Sequence, residues 1–296
     1  MKRKWSSILA TGISLILFFT IALPSALAGH HHAKEKKIGI LLTAFGSSEA
    51  SAQVSFENIG KKTRAAYPDV PVFWAYTSHI IRTKLAKEGK VLDSPRVALA
   101  KMADRGFTHV VVQSLHTILG AEYEDLKQVV DGYKTMGAFD SIIIGNPLLA
   151  TQADMEETVD AILSVIPRER KKNEAVILMG HGTHHPANAF YAALMFQVQL
   201  KDPNVFIGTV EGYPELGDIQ ALLKERNLKT AWLMPFMSVA GDHAKNDMAG
   251  NGEDSWKSIL VKSGIKCNTV LKGTAEFDAF VDIWVSHIQA PLAHFK

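Results

Sequence analysis

Three residues in the second half of the sequence carry side chains that could share one metal ion: His181, Glu211 and His243. Each follows the end of a different short apolar run. Two imidazoles and one carboxylate form a mixed nitrogen and oxygen set suited to Zn, Co(II), Ni(II) or Fe(II), with positions left open for a reacting ligand. Asp242 or Asp247 stands where it could orient the His243 ring through the second ring nitrogen. The first half holds a parallel group with different chemistry: Phe45, Ser47, Ser48, Thr77, His116 and Glu122. Hydroxyls and backbone N–H groups in turns such as Gly46-Ser47-Ser48 hold ligand carboxylates, and Phe45 offers an apolar face. His116 has two readings, a second acid/base or a histidine packed in the core.

These residues can act together only if the chain brings the ends of its apolar runs to one edge. Eight runs read as strands: Lys37–Phe45, Val70–Tyr76, His109–His116, Ser141–Pro147, Ala175–His181, Val205–Glu211, Thr230–Phe236 and Lys266–Leu271. They are continuous rather than alternating, which suits parallel strands buried on both faces. Helix signals lie between them. Ser94-Pro95 supplies a cap and a first-turn proline, Thr151 and Asp154 match a capping box, Pro214 opens a helix, and Gly264 closes one over Trp256–Val261. A last helix is expected over about Ala275–Gln289. Strands alternating with helices predict an α/β fold with parallel sheets.

The sequence also echoes itself. Leu41-Leu-Thr-Ala-Phe-Gly-Ser-Ser48 parallels Ile177-Leu-Met-Gly-His-Gly-Thr-His184, and Ser114–Glu122 parallels Pro235–His243. The reading is two similar halves, each a four-stranded parallel sheet flanked by helices, with a cleft between them. The first spans 36–149 and the second, with the metal site, 150–274; residues 275–296 could pack back on the first half. Ligands of open α/β sheets sit outside the carboxyl ends of the strands, where the residues above fall.

The 296 residues carry 32 basic and 30 acidic groups, a formal charge of +2, but the charge is unevenly placed. Residues 1–28 read as a secretory signal. Lys2, Arg3 and Lys4 precede the apolar stretch Ile8–Ala22, Pro24 breaks it, and Ala26-Leu27-Ala28 offers a cleavage site after Ala28. Without that segment the chain keeps 29 basic against 30 acidic groups. The expected destination is the periplasm, with no stable membrane insertion after cleavage. Residues 29–35 would be a linker. Gly29-His30-His31-His32 within it would be either a solvated tail or an amino-terminal site for Cu(II) or Ni(II). The near-neutral balance gives no reason to expect nucleic acid, and the lone Cys267 excludes a disulfide framework. No Walker A loop and no GxGxxG follows the first strand, so nucleotide chemistry is unsupported.

Longer stretches carry a resemblance. Met179-Gly-His-Gly182, Val210-Glu-Gly-Tyr-Pro214, Val111–Tyr123 and above all Leu233–Met248, with Ala240-Gly-Asp-His-Ala-Lys-Asn-Asp247 inside it, resemble the anaerobic sirohydrochlorin cobaltochelatases of the CbiK type, class II chelatases. The resemblance runs from about Lys36 to the final helix. It implies ATP-independent insertion of Co(II) into sirohydrochlorin, with His181, Glu211 and His243 on the cobalt, His181 favoured as proton acceptor, and self-association into a homo-oligomer. The catalytic pair expected is His181 and Glu211, the latter taking protons through water. Members of that family are typically cytoplasmic, so the export signal is a departure. It leaves open a periplasmic carrier of haem or another tetrapyrrole, and the ligand set leaves open Fe(II) in place of Co(II). A polycarboxylate ring also needs cations or N–H donors nearby; Arg82, Lys245 and the Ser47-Ser48 turn are the candidates.

Overall fold

The computed structural model describes residues 35–296; the expected secretory signal, its expected cleavage site and His30–His32 lie outside the described residues. All eight expected strands form: β1 Ile38–Ala44, β2 Val72–Tyr76, β3 His109–Ser114, β4 Ser141–Gly145, β5 Ala175–Gly180, β6 Val205–Thr209, β7 Thr230–Pro235 and β8 Lys266–Thr269. They make two parallel four-stranded sheets with the same order, β2-β1-β3-β4 and β6-β5-β7-β8. The echoed segments therefore occupy equivalent places, β1 with β5 at one central position and β3 with β7 at the other. Every strand but β2 stops one or two residues short of its apolar run. His116, His181 and Glu211 thus lie just past the last ladder pairs, in loops at the sheet edge.

Ten helices flank the sheets among the described residues: α1 Gln53–Ala66, α2 His79–Lys87, α3 Pro95–Asp104, α4 Ala121–Thr135, α5 Gln152–Val165, α6 Ala189–Lys201, α7 Leu216–Glu225, α8 Trp256–Lys262, α9 Asp278–Ser286 and α10 Gln289–His294. The caps explain the boundaries. Ser94 Oγ accepts from Val97 N at 3.3 Å, with Pro95 in the first turn of α3. At α5, Thr151 Oγ1 accepts from Asp154 N at 3.1 Å and Asp154 Oδ2 accepts from Thr151 N at 2.9 Å, a complete capping box. Two expectations are corrected. Pro214 does not open α7, which starts at Leu216 behind an N-cap at Glu215. The helix expected over about Ala275–Gln289 is shorter, a 3₁₀ turn and α9, and after a break at His287-Ile288 an unexpected short helix, α10, follows. Pro291 sits in the first turn of α10, where its missing N–H costs least, but it could not have extended an unbroken α9.

Both sheets are covered on both faces. Alternate residues of β1 serve different cores: Leu41 packs outward with Leu99, Met102 and Val112, while Ile40 and Leu42 face inward. The inward core is shared, because Ile40, Leu42 and Val111 belong to the same buried cluster as Val176, Leu178 and Ile207 of the second sheet. Helix α9 completes it. Trp284, fully buried, donates from Nε1 to the carbonyl of His116 at 3.2 Å. An aromatic of this size is worth about 3–5 kcal/mol in such a core. The same C-terminal stretch ties down α1: Asn58 Nδ2 donates to Ala275 O at 3.0 Å and Tyr67 OH to Val285 O at 3.0 Å.

Candidate functional site

A cleft of about 250 Å³ opens beyond the carboxyl ends of β1, β3, β5 and β7. The loop after β1 supplies Phe45, Ser47 and Ser48 to its wall, the loop after β3 supplies His116, and the start of α4 supplies Glu122. The second half contributes His181 from the end of β5 and His243 from the loop after β7. Thr77 is not in the wall; it is drawn back to Ala44, whose carbonyl accepts from Thr77 N at 2.8 Å. Glu211 is also outside the lining, and its side chain is exposed. Its backbone nonetheless continues the sheet pairing by one step, with Glu211 N donating to His181 O at 2.7 Å.

His181 and His243 are neighbours, their ring centroids 4.9 Å apart and their planes nearly perpendicular at 82°. Each ring has its Nδ1 against an oxygen that can only accept. For His181 the partner is the carbonyl of Gly182 at 3.1 Å; for His243 it is Asp247 Oδ2 at 2.5 Å. Both Nδ1 atoms therefore carry the proton, and both Nε2 atoms keep a lone pair free to bind a metal ion or accept a proton. Between the two candidates for orienting His243, the structure selects Asp247. A π-helical turn, Ala244–Met248, places it there, whereas Asp242 accepts from Asn246. Among the described residues no three His, Cys, Asp or Glu side chains form a ready-made ligand cluster, so the pair stands without Glu211. Removing the Asp247 carboxylate in an Asp247→Ala variant should lower Co(II) affinity by about 10–100-fold in a calorimetric titration, with Asp247→Asn falling between.

His116 behaves differently. Its Nδ1 lies 2.9 Å from Ser114 Oγ, and its carbonyl accepts from both Leu148 N and Trp284 Nε1. Its Nε2 is closed off from solvent without a partner. Burial pushes its pKa down to about 4, partly offset by the charge of Glu122. A ring that releases protons so readily is a poor proton acceptor near neutrality. Of the two readings, the geometry supports a packed wall residue. Phe45, 44% exposed, stands with its ring centroid 6.4 Å from that of His181 and gives the cleft an apolar face beside the imidazole pair.

Several wall residues escaped the sequence reading: Glu49, Tyr191 and the segment Met237–Val239. Tyr191 has the heptad-like surroundings of any buried helix aromatic, and nothing in its spacing marks it. Its ring lies against Gly180, where an added Cβ would come within 2.6 Å of it. Burial drives its phenol pKa well above the ordinary range, so it stays protonated. Met237–Val239 is held from behind, with Thr274 N donating to Met237 O at 2.8 Å and Ala275 N to Ser238 O at 3.1 Å.

Residues 38–293 match the family model for cobalt chelatase (CbiK). The chain is 45% identical over 268 residues to sirohydrochlorin cobaltochelatase CbiKC of Nitratidesulfovibrio vulgaris, covering 90% of this chain and 95% of that protein. It is 34% identical over 258 residues to the sirohydrochlorin cobaltochelatase of Salmonella typhimurium, covering 86% and 97%. Among solved structures, SirB from Bacillus subtilis with Fe3+ shares the fold, with a TM-score of 0.60 at 16% identity over 88% of this chain and 97% of that one.

Proposed function

The chain belongs to the cobalt chelatase (CbiK) family, and from that premise we propose that it inserts Co(II) into sirohydrochlorin, without ATP and in the periplasm. The observation that carries the reading is the His181–His243 pair, two imidazoles with free Nε2 atoms beside an apolar cleft wall. Co(II) suits an imidazole and carboxylate donor set. His181 and His243 take the incoming ion, and Glu211, one backbone hydrogen bond from His181, turns its carboxylate in as the third ligand. Phe45 supports one side of the macrocycle. Insertion must also remove two pyrrole protons. His181 Nε2 is the acceptor, since the Gly182 carbonyl holds the Nδ1 side of the ring and leaves the Nε2 lone pair toward the cleft.

No Walker A loop is present in the sequence to cradle nucleotide phosphates, in keeping with nucleotide-independent insertion. The cationic start, the apolar Ile8–Ala22 stretch and Ala26-Leu27-Ala28 support export. An anaerobic assay of residues 29–296 with sirohydrochlorin and Co(II), no nucleotide added, should show the absorbance change of metallation. A rate that appears only with ATP, or with Fe(II) and not Co(II), would overturn the corresponding part. Cell fractionation should find the chain in the periplasm, beginning at Gly29.

A further inference from the structure

The cleft wall is acidic for the guest proposed. Its lining includes Glu49, Glu122 and Asp242 and, among the described residues, no lysine or arginine. A macrocycle edged with carboxylates meets repulsion there unless a cation stands at the rim. One does, and it is already engaged. Lys245 Nζ lies 2.5 Å from Glu49 Oε2, with the two side chains 37% and 28% exposed. This bond holds the Glu49 carboxyl below the usual range, and Lys84 adds a weaker pull on the same group. Arg82, the other cation considered, donates from Nη1 to the carbonyls of Tyr76 and Thr77 at 2.8 and 3.2 Å.

The Lys245–Glu49 bond is also a strap. Glu49 belongs to the segment between β1 and α1, and Lys245 to the π-helical turn after β7, so the pair joins the two halves across the cleft mouth. The same segments approach again at Ser47, whose Oγ lies 3.5 Å from where a Cβ on Gly241 would stand. A part-exposed ion pair is weakly held and exchanges readily for another of the same kind.

We propose that Glu49 is a built-in stand-in for a substrate carboxylate: it occupies Lys245 in the empty protein, and a peripheral carboxylate of the tetrapyrrole displaces it, opening the strap and anchoring the ring beside the histidine pair. The inference rests on the tetrapyrrole reading above. On displacement Glu49 keeps the weaker electrostatic pull of Lys84.

The test is the affinity for metal-free sirohydrochlorin, read by quenching of its fluorescence without Co(II). Glu49→Gln frees Lys245 and should tighten binding about tenfold; Lys245→Met should weaken it about tenfold. The double variant should match Lys245→Met, because the gain from Glu49→Gln requires the ammonium. If Glu49→Gln binds no more tightly, or if the gain survives without Lys245, the stand-in is overturned. It is equally overturned if both single variants only lower the thermal midpoint while affinity stays fixed, since the bond is then purely structural. Failure of the unsubstituted chain to bind or metallate sirohydrochlorin would sink the function and this inference together. Normal metallation with unchanged affinity in Glu49→Gln would sink the inference alone.

Discussion

The His181→Ala variant should lose about three to four orders of magnitude in cobalt insertion. General-base assistance alone is worth about 10²–10⁴ in rate, and this residue is assigned both a ligand role and the proton. The loss should fall on kcat as well as on KM for Co(II). His243→Ala provides the contrast: it removes a ligand but not the acceptor, so its defect should appear chiefly in KM for Co(II) and recede as cobalt is raised. Initial rates across a cobalt series, at saturating sirohydrochlorin, separate the two. If excess cobalt rescues His181→Ala fully, the proton goes elsewhere, and Glu122 on the facing wall is the next residue to replace.

Gly182→Ala is expected to be the most damaging small change to the fold near the site. Gly182 has φ +80°, and a Cβ there would stand 2.0 Å from the Glu211 carbonyl oxygen and 2.8 Å from Thr209 Cβ. The obstruction includes backbone of an adjacent strand end, which cannot swing aside as a flexible side chain would. Left-handed backbone costs a non-glycine residue about 1–2 kcal/mol, and the clash should bring the total above about 3 kcal/mol. Gly89→Ala is the control. Gly89 has φ +79° but nothing within 4 Å of the added carbon, so it carries the backbone cost alone. Urea midpoints of the two variants should therefore differ clearly, and equal midpoints would refute the steric account. Cobalt affinity should fall with Gly182→Ala too, because the Gly182 carbonyl holds the His181 ring.

The strands were legible because burial on both faces demands unbroken apolar runs, and the run from Ala175 to Gly180 is buried throughout. Their ends were less so. Periodicity marks where apolar residues stop, whereas the ladder stops where a backbone partner runs out. That difference places His181 and Glu211 in loops rather than in strands. Strand-end position brought His181 and His243 to one cleft, but it carries no information on side-chain direction; Thr77 and Glu211 share the edge and face elsewhere. The break at His287-Ile288 and the short α10 beyond it escaped the reading, although Pro291 is a first-turn helix signal. His287 fixes that break through partners distant in sequence, Asn146 O and Asp154 Oδ1, each at 3.1 Å, which no local pattern could disclose.

The segment from Thr274 to Ser286 touches both cleft walls: through Thr274 and Ala275 it holds the Met237–Val239 loop, and through Trp284 it holds His116. Its bonds to α1 join residues 217 and 218 positions apart. A growing polypeptide makes this segment after all eight strands, so the inner face of the first sheet must wait for it. Contacts at such separation are slow to close, and the unfinished chain keeps apolar surface open meanwhile. The shared inner core closes, and the two cleft walls are braced, only after residues 274–286 have been made.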